Sequence, residues 1–156
     1  MTAPAWYNNG KKLGEGDVLS FAYRKLIKLS DGEEYMVFED PFSIRHMIPY
    51  VYYKDYCLEP GIDVVCRVDR INCTGRVFLE PEHPVYIPGN IEKFSISSVF
   101  YDESAECDFI RITVYDVFGN EIGCEISRNN TDNMKPGDIV ELKIAGLKKG
   151  KPILTF

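Results

Sequence analysis

The sequence predicts an all-β protein made of two tandem five-stranded Greek-key barrels. Three observations carry that prediction. The chain repeats itself, each copy alternates apolar and polar residues with a period of two, and aromatics are abundant, with ten Tyr and nine Phe but a single Trp among 156 residues. Tyr-rich, β-branched composition favours strands, and a chain of this length has room for two domains of about 75 residues each.

The repeat is clearest toward the end of each copy. The stretch from Leu58 to Leu79 aligns with that from Met134 to Leu154 across a single-residue gap at Thr74. Pro60-Gly61 then meets Pro136-Gly137, Val64 meets Val140, Cys66 meets Leu142, Val68 meets Ile144 and Gly75 meets Gly150. Because side chains alternate faces along a strand, Val64, Cys66 and Val68 share a buried side, as do Val140, Leu142 and Ile144. A turn follows at Cys73-Thr74-Gly75 or Lys149-Gly150, then a second strand, so each copy ends in a β-hairpin.

Upstream, Gly16-Asp17-Val18 corresponds to Gly89-Asn90-Ile91, and each opens a long strand running to about Leu29 or Tyr101. Charged, turn-prone stretches follow at 30–33 and 102–106. Aligning Asp40-Pro41-Phe42 with Asp116-Val117-Phe118 sets Met36 and Phe38 opposite Ile112 and Val114 on the inward face. Tyr35, Val37 and Glu39 then oppose Arg111, Thr113 and Tyr115 on the outward face. Third strands are predicted at about 44–50 and 121–127. Single helical turns fit the connections at 51–57 and 128–133. The predicted core is Val18, Met36, Phe38, Val64, Cys66, Val68 and Leu79 in the first copy. In the second it is Ile91, Ile110, Ile112, Val114, Val140, Leu142, Ile144 and Leu154.

The expected boundaries are a tail at 1–13, a first domain at 14–84 and a second at 85–156. The segment 80–88 has three prolines in nine residues and reads as a stiff linker. Glu80 and Glu82 are expected to be solvated there, His83 to pack between the domains and Tyr86 to sit at their junction.

Strand, strand, strand, short connection, strand, strand is the order of the OB fold. Over about residues 14–156 the paired copies resemble tandem OB (oligonucleotide- or oligosaccharide-binding) domains. That resemblance implies a ligand face on the outside of the second and third strands, with aromatic platforms and a few cations for single-stranded nucleic acid. In the first copy the residues so placed are Tyr35, Arg45, Tyr52, Tyr53, Arg67 and Arg76, with Arg70 near the hairpin. In the second they are Arg111 and Tyr115, with Lys148, Lys149 and Lys151 as a basic turn. RNA is expected ahead of DNA as the bound strand, although no residue reports a 2′-hydroxyl contact.

Charge bears on the partner. With 18 Lys and Arg against 24 Asp and Glu, the net charge is −6. That argues against a wholly basic nucleic-acid surface and against an anionic membrane. The 10 basic and 13 acidic residues up to Pro88, and the 8 and 11 after it, leave each half at −3. An acidic protein-interaction or adaptor module is therefore the competing reading, with Glu121, Glu125 and Glu141 on the outer faces of the second copy.

No metal, cofactor or catalytic role is expected. The five cysteines (57, 66, 73, 107 and 124) form no C-x-x-C pair, and Cys66 aligns with a core leucine, which disfavours a zinc site with Cys57, Cys73 and His83. No phosphate loop, H-E-x-x-H or G-x-S-x-G occurs, so the chain is not expected to be an enzyme. No apolar run reaches the roughly 20 residues a bilayer requires. The N-terminal residues lack the apolar stretch of a signal peptide, and a cytoplasmic location is expected.

Overall fold

The computed structural model describes residues 7–8, 11–101, 109–127 and 134–156. The chain divides into two compact units, Met1–Glu82 and His83–Phe156. Unit 1 holds β1 (Tyr7–Asn8), β2 (Lys11–Lys12), β3 (Val18–Lys28), β4 (Glu34–Glu39), β5 (Arg45–Pro49), β6 (Asp63–Ile71) and β7 (Val77–Pro81). One 3-10 turn, Lys54–Tyr56, lies between β5 and β6, where the single helical turn is predicted. Unit 2 holds β8 (Ile91–Phe100), β9 (Phe109–Tyr115), β10 (Glu121–Ser127), β11 (Ile139–Lys148) and β12 (Lys151–Thr155). Among the described residues no helix is long and apolar enough to cross a membrane.

Each unit is built on a five-stranded antiparallel sheet, and β1 and β2 form a separate two-stranded ladder in unit 1. Unit 1 has the order β5-β4-β3-β6-β7 and unit 2 the order β10-β9-β8-β11-β12. In both, the first long strand is central and pairs with the second and the fourth, which is the OB-like arrangement. In unit 2 the edge strands β10 and β12 come together, the Cys124 thiol lying 3.7 Å from the Leu154 carbonyl, and the sheet is nearly closed into a barrel. The edges β5 and β7 of unit 1 meet over a shorter stretch.

The two copies use the same backbone hydrogen bonds. Gly16 N donates to Val68 O (2.8 Å), as Gly89 N does to Ile144 O (2.7 Å). Gly61 N donates to Tyr23 O (2.8 Å), as Gly137 N does to Ile96 O (2.9 Å). Gly61 and Gly137 have φ values of 100° and 93°, left-handed geometry that a side chain strains, which explains the paired Pro-Gly turns. Bulges also recur in register, at Tyr23/Lys25 and Ile96/Ser98 on the first long strands and at Val68/Arg70 and Ile144/Gly146 on the fourth.

The turn between second and third strands is built on a buried aspartate in each unit. Asp40 Oδ1 accepts from Phe42 N (2.8 Å) and Ile44 N (2.9 Å). Asp116 Oδ1 accepts from Phe118 N (2.9 Å) and Asn120 N (2.8 Å). The second oxygen is also occupied, by His46 Nε2 on Asp40 (2.9 Å) and by Asn120 Nδ2 on Asp116 (3.0 Å). Without these partners a buried carboxylate would be costly.

The predicted inward faces hold for Met36, Phe38, Val64, Cys66, Val68, Leu79, Ile110, Ile112, Val114, Val140, Leu142 and Ile144, all buried. Leu154 is partly buried against the unit 2 core. Val18 and Ile91 do not follow, being 61% and 65% exposed. Residues opposite each other in a ladder share a face; Val18 faces Arg67 and Ile91 faces Lys143, so both look outward. The inward positions belong to Phe21 and Tyr23 in β3 and to Phe94 and Ile96 in β8.

The N-terminal and linker expectations also change. Tyr7–Asn8 pairs with Lys11–Lys12, and Leu13 is buried, so the end of the expected tail is tied to structure. Glu80 and Pro81 lie in the last strand of unit 1, while His83 and Tyr86 pack within unit 2, the His83 ring 4.6 Å from Tyr86 and 5.3 Å from Phe118. The predicted connections at 102–106 and 128–133, and Cys107, lie outside the described residues. Replacing Asp116 by Ala should lower stability by about 1–3 kcal/mol, the cost of unsatisfied buried partners. The urea midpoint read by circular dichroism checks this; an unchanged midpoint would mean the carboxylate is not needed to close the turn.

Candidate functional site

In unit 1 the outer face of β4 and β5 is set by parity. Tyr35, Val37 and Glu39 stand opposite Pro49, Met47 and Arg45, while Met36 and Phe38 turn inward with Ile48 and His46. Beside this face lies a cleft of about 440 Å³, lined by Leu29 from the β3–β4 turn, Tyr35, Arg45, His46 and Met47 from β4 and β5, and the run 74–77 from the β6–β7 turn. It occupies the side on which β5 and β7 meet only briefly. Three predicted residues, Tyr35, Arg45 and Arg76, line it together. None of its lining residues is acidic, in a chain whose net charge is −6.

The cleft cations Arg45 and Arg76, and Arg24 outside its lining, differ in how they are held. Arg24 donates to Glu39 Oε2 at 2.6 Å, and Arg45 Nε lies 3.5 Å from Glu39 Oε1. The Arg24 hydrogen bond holds the Glu39 carboxyl below its ordinary range, with Arg45 adding to the effect. Two guanidiniums around one carboxylate leave a surplus positive charge. Arg76 stacks on Phe78, its guanidinium carbon 5.1 Å from the ring centroid.

The other predicted residues are placed elsewhere. Tyr52 is 43% exposed and packs edge-on against Tyr53 at 6.2 Å. Tyr53 is 3% exposed and cannot stack on a ligand; it stands at the start of the 3-10 turn with its ring buried. There its hydroxyl donates to Glu80 Oε1 at 3.1 Å, so Glu80, expected in solvent, is a buried acceptor. Burial, then the Glu80 charge, pushes the Tyr53 phenol and the Cys66 thiol far up, which makes Cys66 an inert core thiol. Arg67, on β6 outside the cleft lining, donates to Asp69 Oδ1 at 2.9 Å.

In unit 2 the exposed Arg111 pairs with Glu125 at 3.3 Å, at the edge of a cleft of about 580 Å³ that also includes Gly123 and Thr155. Exposed Tyr115 stands opposite Glu121. The outer face of β9 and β10 therefore carries two carboxylates against one guanidinium, whereas that of β4 and β5 carries Glu39 and Arg45, with Arg24 of β3 reaching Glu39 as well. The parity that exposes Arg45 would also have found Met47. Leu29 and Thr74 come to the cleft through turn positions that no periodicity reports.

No family model matches the chain, and no curated protein matches it. Among solved structures, one of the cytoplasmic molybdate-binding protein ModG with molybdate bound is similar at 14% identity and a TM-score of 0.31, over 92% of this chain and 97% of that one. At that score neither fold detail nor ligand is carried across.

Two outcomes follow from the buried polar groups. Tyr53→Phe removes the donor to Glu80 and should cost about 1–3 kcal/mol in urea unfolding; a neutral substitution would show that Glu80 does not depend on that phenol. His83 Nδ1 accepts from Val85 N and Tyr86 N, both at 3.0 Å, and burial holds the ring's pKa below the ordinary 6.5, Asp116 opposing. Below 6.5 the unfolded chain binds the proton and the folded one resists it, so stability should fall as pH drops through that value. His83→Asn keeps a backbone acceptor but does not titrate. Its unfolding midpoint should lose the His83 share of the acid slope, and an unaltered slope would exclude His83 as its source.

Proposed function

We propose that this chain is a non-catalytic binding protein for single-stranded nucleic acid, RNA ahead of DNA, held in the cleft on the outer face of unit 1. The supporting observation is the lining: Tyr35, Met47 and Leu29 beside Arg45 and Arg76, with no acidic residue, in an acidic chain. Tyr35 supplies a ring for a base and the two arginines supply forks for phosphates. About 440 Å³ suits one or two nucleotides rather than a folded partner. Tyr52 is a secondary platform. Arg67, tied to Asp69, makes a smaller contribution, whereas Arg111, tied to Glu125, and Tyr115 belong to unit 2 and are not assigned to this cleft. The acidic outer face of β9 and β10 favours a protein partner for unit 2 as the second reading.

Titrating a labelled oligouridylate by fluorescence anisotropy tests the first reading. Tyr35→Leu should lose about 1–3 kcal/mol of binding, roughly 5- to 150-fold. Arg45→Ala and Arg76→Ala should each flatten the plot of log affinity against log salt by about 0.7. Binding that ignores salt, or that survives all three substitutions, would remove the strand from this cleft and leave the adaptor reading in its place.

A further inference from the structure

Arg70 and Arg76 share one aromatic ring. Arg70 lies on β6 directly opposite Phe78 on β7, and its guanidinium carbon is 4.4 Å from the Phe78 centroid. Arg76 reaches the same ring at 5.1 Å from the turn that joins the two strands. Val77 and Leu79 on either side are buried, so Phe78 and its two cations face outward. Arg24, Arg45, Arg67 and Arg111 each lie within ion-pair distance of a carboxylate, whereas among the described residues neither Arg70 nor Arg76 does.

Gathering two like charges on one ring is unfavourable unless an anion sits between or across them. The electron-rich face of the ring attracts each cation and offsets part of that repulsion. The Glu15 carboxylate comes to the residue next to Arg70 but accepts from Ile71 N at 2.9 Å, and among the described residues no carboxylate pairs with either guanidinium. The arrangement leaves planar N–H forks open toward solvent, the geometry that matches phosphate oxygens. Arg76 belongs also to the cleft lining, while Arg70 and Phe78 lie outside it.

We propose that Arg70, Phe78 and Arg76 form a phosphate clamp on the outside of the β6–β7 hairpin, a subsite next to the cleft. It takes successive phosphate groups of a polyanion, and it rests on the nucleic-acid reading only for the identity of that polyanion. Arg76 joins the two places. A bound strand accordingly leaves the Tyr35–Arg45 face across the β6–β7 turn and runs over the hairpin toward Arg70.

Two probes separate this clamp from the cleft reading. Inorganic tripolyphosphate, titrated calorimetrically into the full chain, should bind saturably, several-fold more weakly to Arg70→Ala, with Arg70→Lys retaining part of the affinity. An oligouridylate long enough to reach past the turn should lose about 0.7 from its salt slope in Arg70→Ala, while a dinucleotide confined to the cleft should not change. Phe78→Leu, which keeps an apolar residue but removes the platform, should weaken tripolyphosphate as well, and thermal melts of each variant separate this loss from unfolding. Tripolyphosphate that binds wild type and Arg70→Ala alike, or does not bind at all, overturns the clamp. A clamp that responds to Arg70 while no oligonucleotide binds upholds the phosphate site and removes the nucleic-acid reading.

Discussion

In an antiparallel ladder, two residues directly opposite each other must leave the sheet on the same side, and the rest of this molecule depends on that constraint. In unit 1 it is set between β3 and β6, where Leu19 stands opposite Cys66 and Phe21 opposite Val64. In unit 2 it is set between β8 and β11, where Phe94 stands opposite Val140. A slip of one residue would turn every core side chain into solvent. The bulges at matching places and the shared glycine hydrogen bonds keep that register in both copies. Once it is set, Tyr35, Arg45 and Met47 are obliged to face outward together.

What the shared scaffold does not determine is charge, and there the copies part. On the outer face of the second and third strands, unit 1 carries Arg45 where unit 2 carries Glu121, and Tyr35 where unit 2 carries Arg111, which Glu125 then neutralises. Unit 1 also leaves its sheet edges less fully joined, and the cleft lies at that opening. The two halves carry the same net charge of −3, so the copies differ in where their charges stand on the outer faces and not in how many they hold.

Much of this was legible from the residues alone because period-two alternation and a repeat of Pro-Gly turns are strong local signals. The inward sides of β4, β6, β9 and β11, the hairpins and the turn at 51–57 were read from them. The misreadings share a cause. Val18 and Ile91 are apolar residues at the first position of their strands, and only the cross-strand partner, Arg67 or Lys143, tells which way they point. Tyr53 and Glu80 are far apart in sequence and meet in a buried contact; a tyrosine among tyrosines and a glutamate among prolines give no local sign of burial. At the candidate cleft, the outward placement of Tyr35 and Arg45 and the turn position of Arg76 are legible through parity and position. The pairing of Arg70 with Phe78 depends on the bulge between Val68 and Arg70, which no sequence period announces.

Amide chemical-shift mapping of the full chain with a short single-stranded oligonucleotide tests the account most directly. Resonances of Leu29, Tyr35, Arg45, Met47 and the 74–77 turn should move together and saturate at one affinity, while those of the β9 and β10 outer face stay in place. Shifts confined to unit 2, or scattered without saturation over both units, would contradict it.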